Sequence, residues 1–149
     1  MKSVVPTLKE KVTDMLYPKG NFHVLVHNDC WTNNFMFAYD DATGRLKDVK
    51  ILDLQMMRRT RPTVDLVYFL HMSTDAQFRK ENFASLIEFY HAKLTEGLAE
   101  LGYDEANALY PLETMLVDVE DCFLFGHICG CYRIFLVRIV LFEGQNQPN

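Results

Sequence analysis

Apolar positions along this chain change their period twice, and each change marks a different kind of element. Leu8, Val12, Met15 and Leu16 recur at steps of three and four after Pro6 and Thr7, which predicts a short amphipathic helix over 7–16 that stops before Tyr17, Pro18, Lys19 and Gly20. Phe22 to Val26 (FHVLV) is a brief β-rich run that delivers the polar stretch His27, Asn28, Asp29, Cys30, Trp31, Thr32, Asn33, Asn34. Phe35 to Tyr39 (FMFAY) and Val49 to Leu54 (VKILDL) predict two more strands, and Asp40, Asp41, Ala42, Thr43 and Gly44 between them suit a hairpin turn. From Asp65 the period becomes helical. Asp65 to Leu70 opens a helix, and Phe83, Leu86, Ile87, Tyr90, Leu94, Leu98 and Leu101 continue one face up to Gly102, so the pattern predicts one long amphipathic helix. A third helical region follows Pro111 with Met115, Leu116, Val119, Phe123, Ile128, Tyr132, Phe135 and Ile139, and a break is expected near Gly126 or Gly130. These elements predict an α+β fold in which a small β hairpin region packs on several α-helices.

Composition narrows the class. With 149 residues, 49% of them hydrophobic and 23% charged, the chain is of a size and make-up to bury one core as one domain. Fifteen basic against twenty acidic residues leave a net charge of −5, which excludes nucleic acid and anionic lipid as expected partners. The most apolar stretch, Cys122 to Phe142, is interrupted by Arg133 and Arg138 before roughly 18 uncharged residues accumulate, so it predicts a buried helix and no membrane span. Gly126 and Gly130 stand in G-x-x-x-G spacing there, which permits close helix packing. Cys30, Cys122, Cys129 and Cys131 lack paired C-x-x-C spacing and read as free buried thiols. Met1 to Pro6 lack a secretory h-region, which with the free thiols points to the cytoplasm. Apart from the polar tail Gly144 to Asn149, no low-complexity segment or repeat is present.

The chemistry concentrates in His27-x-Asp29-x-x-x-x-Asn34, followed by Asp53 in Ile51-Leu52-Asp53-Leu54-Gln55. Phosphoryl transfer needs a cation that neutralises the phosphates and a carboxylate that orients the attacking hydroxyl. Asp29 on a loop can accept that hydroxyl's proton, and Asn34 with Asp53 across the hairpin offers oxygens for a hard cation. His27 is expected to orient the loop through hydrogen bonds to nearby backbone, a task that needs no titration. The order of strand, polar loop, hairpin and second aspartate matches the arrangement of kinase catalytic and metal loops.

VLVHNDCWTNNFMF, then VKILDLQ, then PTVDLVYFL resembles the C-terminal lobe of the ecdysteroid-kinase-like (CHK kinase-like) family, relatives of choline kinase and the aminoglycoside phosphotransferases. The resemblance rests on specific motifs over about residues 20–75 and on general pattern beyond. It implies a protein-kinase-like C-terminal lobe over 1–149, with catalytic and metal loops at 22–55 and a helical subdomain at 65–143. It implies Asp29 as catalytic base, Asn34 and Asp53 as ligands of Mg2+ and of the ATP bound through it, and Asp65 as a structural acid under the catalytic loop. The implied reaction is Mg2+-dependent transfer of the ATP γ-phosphoryl group to a hydroxyl of a small organic acceptor, an ecdysteroid among the candidates. The family's loop has Gly where this chain has Asn28, and Asn also tolerates positive φ. The seven glycines form no Gly-rich phosphate loop, and Lys2, Lys9, Lys11 and Lys19 lie on or beside a helix. The expectation is therefore a truncated chain without the N-terminal nucleotide lobe.

Other candidates read as structural. Trp31 is expected to pack, Gln55 to finish a strand, Arg58, Arg59 and Arg61 to sit on a solvated loop, and Glu113, Asp118, Glu120 and Asp121 to form an exposed helix face. Phe123, Phe125, Tyr132 and Phe135 are expected in the core. Two functions remain: a phosphotransferase, or a noncatalytic module that holds at most a metal or a partner. An exposed apolar patch on the helix and hairpin face toward the missing N-terminal lobe is the feature the second requires.

Overall fold

Among the described residues four short strands and four α-helices follow one another, three of the strands where the apolar runs predict them. The computed structural model describes residues 22–143 with Glu10 and Gly20, and the side chains of the last helix as far as Cys131. The helix expected over 7–16, the tail 144–149 and the side chains of Tyr132, Arg133, Phe135, Arg138 and Ile139 lie outside the described residues.

Strand β1 (Val24–Val26) pairs antiparallel with β4 (Arg58–Thr60), placing Val24 opposite Thr60 and Val26 opposite Arg58. The segment expected as a solvated loop is thus a strand at Arg58 and Arg59. The hairpin joins β2 (Phe35–Tyr39) to β3 (Leu46–Ile51). Its turn is closed by Asp40, whose Oδ1 accepts from the backbone and hydroxyl of Thr43, both at 2.8 Å, while Gly44 takes φ 66°. That closure lets β3 begin at Leu46, three residues ahead of the expected Val49. A register shift between Ala38 and Tyr39 brings Leu46, in place of Lys47, opposite Tyr39. One face of the hairpin is consequently apolar along its length: Phe35 with Ile51, Phe37 with Val49, Tyr39 with Leu46. Only its base is covered, where Phe35 meets Phe69 edge-on at 5.6 Å; Tyr39 and Ile51 remain 59% and 55% exposed.

Helix α1 (Thr63–Ser73) and helix α2 (Ala76–Glu100) replace the single long helix expected from Asp65 to Leu101. The break lies at Thr74 and Asp75, where Asp75 Oδ1 caps the new helix by accepting from Phe78 N at 2.8 Å and Arg79 donates back to the Leu70 and Thr74 carbonyls. A short α3 (Ala106–Leu109) leads into α4 (Leu112–Glu143), which runs through both glycines without the expected break. Packing explains this. Gly126 lies against α1 so closely that a Cβ there would stand 2.5 Å from His71 Nδ1 and 2.6 Å from Val67 Cγ1. The core gathers Val64, Val67 and Leu70 of α1 with Ile87, Tyr110, Met115, Val119 and Cys122.

Three expectations about side chains need correction. Arg61 is fully buried, and its Nη1 donates to Asp118 Oδ1 at 2.8 Å and Asp121 Oδ2 at 3.1 Å. Asp118 also accepts from Tyr110 OH at 2.7 Å, so this part of the acidic face is an anchor between the start of α1 and α4. Phe123 is 39% exposed and leans edge-on against His71 and Phe83, at the margin of the core. All four cysteines are free, but only Cys122 is buried; Cys30 and Cys129 are half-buried and Cys131 is exposed. Among the described residues no helix is long and apolar enough to cross a membrane.

Candidate active site

The strand β1 ends because the chain turns left-handed at Asn28, with φ 63°. Asn reaches this region at lower cost than other residues with a Cβ, since its short polar side chain satisfies the local backbone. The turn is held from below by Asp65 in the first turn of α1. Its Oδ2 accepts from His27 N at 2.6 Å and its Oδ1 from Asn28 N at 2.8 Å. Burial pushes the Asp65 carboxyl above the usual carboxylate range, against the opposing pull of these two N–H groups.

His27 ties the loop to the hairpin. Its Nε2 lies 2.6 Å from the carbonyl oxygen of Leu52, which can only accept, so Nε2 carries the hydrogen. Nδ1 is then the acceptor that Asp29 N faces at 3.3 Å. The ring is thereby fixed as a bridge between the loop and the hairpin.

Asp29 stands between two donors. Tyr68 OH of α1 donates to Oδ1 at 2.9 Å, and Asn34 Nδ2 donates to Oδ2 at 2.9 Å and to the Asp29 carbonyl at 2.8 Å. Two oxygens on one amide group settle its orientation: the nitrogen faces Asp29, and the amide oxygen points elsewhere. A 3-10 turn over Thr32–Asn34 places Asn34 at the foot of β2, anchored where Thr32 N donates to Ser73 Oγ at 3.0 Å. Trp31 is half-buried just ahead of this turn.

Asp53 enters from the other strand. The Asn34 carbonyl accepts from Leu52 N at 2.9 Å, so the hairpin ladder extends one step past Phe35 and Ile51 and sets Leu52 opposite Asn34, with Asp53 next along the chain. Asp53 itself is left-handed (φ 61°, ψ 60°), the second non-glycine residue in that region, and a 3-10 turn over Leu54–Met56 containing exposed Gln55 follows. Backbone strain of this kind persists where surrounding contacts enforce it, and here it coincides with both acidic loops. The structure thus joins Asp29 to Asn34 directly, and Asp53 follows Leu52, whose N–H is bonded to the Asn34 carbonyl.

A carboxylate and an amide oxygen are hard donors of the kind Mg2+ selects. Among the described residues no three His, Cys, Asp or Glu side chains gather as a metal cluster. Next to this set, burial together with Asp65 and Asp29 pushes the Cys30 thiol up to about 12, so it stays protonated and unreactive. Burial and the bond to Asp29 likewise push up the Tyr68 phenol.

Tyr68 is the site residue that motif reading missed. A signal for it existed, because Asp65 and Tyr68 are three apart on one helix and so reach the same loop from one face. In comparisons with known proteins, the model of the ecdysteroid kinase-like family matches residues 1–103. No curated protein and no solved structure matches the chain.

Proposed function

The chain belongs to the ecdysteroid kinase-like family, and from that premise we propose that it transfers the γ-phosphoryl group of ATP to a hydroxyl of a small organic acceptor. The observation that carries this reading is the link from Asp29 through Asn34 and Leu52 to Asp53. Asp29 takes the proton of the acceptor hydroxyl, whose oxygen bonds to the γ-phosphorus as the bond to the β–γ bridging oxygen breaks and ADP departs. His27 holds the loop against Leu52 and exchanges no proton. Asn34 and Asp53 would hold Mg2+, which would supply neutralisation of charge on the nucleotide phosphates. The same reading assigns the described residues to the C-terminal lobe of a kinase-like fold, acting on a small-molecule substrate in the cytoplasm.

The test is phosphate transfer from ATP with sterol, choline and aminoglycoside acceptors, read as ADP and phosphorylated product. Asp29→Asn should lower kcat by roughly 10²–10⁴-fold with modest change in nucleotide affinity, because it removes proton acceptance and leaves the cation donors. Asp53→Ala should weaken Mg2+ and ATP-analogue binding together in calorimetry. Unchanged nucleotide affinity in that variant overturns the assignment of the cation site.

One observation favours a second reading, in which the chain transfers no phosphate and serves as a binding module. The apolar hairpin face leaves Phe37, Tyr39, Leu46, Val49 and Ile51 exposed together, a patch of the kind that marks interaction surfaces. Absence of transfer to every acceptor, with Mg2+ binding retained, would select this reading.

A further inference from the structure

We propose that Tyr68 is the positioning residue of Asp29, fixing the plane of its carboxylate for the acceptor hydroxyl through the Oη–H to Oδ1 bond; this rests on the function proposed above. The argument begins with freedom. An aspartate on a loop has two rotatable side-chain bonds, and one donor cannot fix both. Asn34 holds Oδ2 from the hairpin side at 2.9 Å, and Tyr68 holds Oδ1 from the helical side at the same distance. Two donors from two independent elements define the carboxylate plane, whereas either alone leaves a hinge.

Tyr68 is itself held. Its ring stacks on Phe125 of α4, with centroids 5.9 Å apart and planes inclined by 28°. One turn earlier on α1, Asp65 grips the backbone of His27 and Asn28. One helical face thus supports the loop twice: Asp65 sets the main chain and Tyr68 the reacting side chain. Burial and the bond to Asp29 keep the proton on the phenol, so Tyr68 remains a donor to the carboxylate. Each carboxylate oxygen has a further lone pair, so Oδ1 and Oδ2 can still accept the incoming hydroxyl. A carboxylate free to swing spends less time in line with that hydroxyl, and misplacement of this kind lowers kcat without altering binding.

Tyr68→Phe tests this with the ring and its stack retained. The expected result is a ten- to hundred-fold fall in kcat, about what losing one hydrogen bond to a charged group yields, with the KM values for ATP and acceptor within about two-fold. A separate readout needs no turnover. With tyrosine labelled at the ζ carbon and Tyr68→Phe identifying the resonance, Asp29→Asn should move the Tyr68 signal and leave the other tyrosines in place. Unchanged kcat in Tyr68→Phe, a rise in KM at constant kcat, or a Tyr68 resonance indifferent to Asp29→Asn each overturns the assignment. Lack of turnover in the unaltered chain overturns the proposed function and this role with it, whereas turnover undiminished in Tyr68→Phe overturns this role alone.

Discussion

Replacing Gly126 by Ala sets two effects of opposite sign against each other, and the structure decides between them. Within a helix, Gly→Ala stabilises by up to about 1 kcal/mol because it removes backbone freedom from the unfolded chain. At Gly126 the new methyl would stand 2.5 Å from His71 Nδ1, 2.6 Å from Val67 Cγ1 and 2.9 Å from His71 Cγ. Neither neighbour can step aside. Val67 is fully buried and stiff at χ1, and the His71 ring is pinned by its Nδ1 bond to the Val67 carbonyl at 2.8 Å. Relief requires α4 to move off α1, and overpacking of this kind costs about 1–3 kcal/mol, to which the loss of the His71 bond adds about 1 kcal/mol. The net expectation is a loss of about 2 kcal/mol, or a Tm lowered by roughly 4–8 °C in a domain of this size. Gly130→Ala is the internal control. Its methyl would meet the His71 carbonyl oxygen at 3.4 Å and His71 Cβ at 3.7 Å, ordinary contact distances, so the helix term prevails and Tm should hold or rise by a few degrees. Urea unfolding and thermal melts followed by circular dichroism read both variants. Equal stability changes for Gly126→Ala and Gly130→Ala would refute the reasoning, because they would show that the α1–α4 contact does not discriminate between the glycines.

Arg61→Ala should lower stability by about 3 kcal/mol in urea unfolding, since it removes a fully buried cation and leaves Asp118, with Tyr110 still bound to it, short of its counter-charge; a change below about 1 kcal/mol would show that the pair contributes little. His71 provides the pH dependence. Burial, followed by the nearby His127 and Arg79 charges, lowers its folded pKa below 6.5 despite the bond to Val67. The unfolded chain therefore binds a proton before the folded one does, and this share of stability is fully present above pH 6.5 and is lost as pH falls from there through the lowered folded value. The melting temperature should drop between pH 7.5 and 5.5 by more in the unaltered chain than in His71→Gln, and parallel curves would refute the assignment.

Much of the candidate site was legible because it is local. His27, Asp29 and Asn34 lie within eight residues of one another, and the strand, loop and hairpin that carry them have short-range signatures in alternating apolar runs and turn residues. Asn28 was legible too: a residue that tolerates positive φ stood where the chain turns, and it takes φ 63°. The break between α1 and α2 was harder to read, because Phe83 to Leu101 keeps the helical period of α1 and the stop at Thr74–Asp75 depends on a cap by Asp75 and on Arg79 reaching back to carbonyls of the preceding helix.

By itself the sequence determined three of the four strands, the helical character of the chain after them, the oxygen chemistry of the loops and the family, since each depends on residues near one another along the chain. Tertiary structure alone decided that Arg61 is buried under Asp118 and Asp121, that Gly126 admits His71, and that Tyr68 reaches Asp29. Those contacts join residues 39 to 60 positions apart, and no local period encodes which helix face meets which loop. They follow from burying the faces of α1 and α4 against each other, the step at which spacing along the chain ceases to say what is near what.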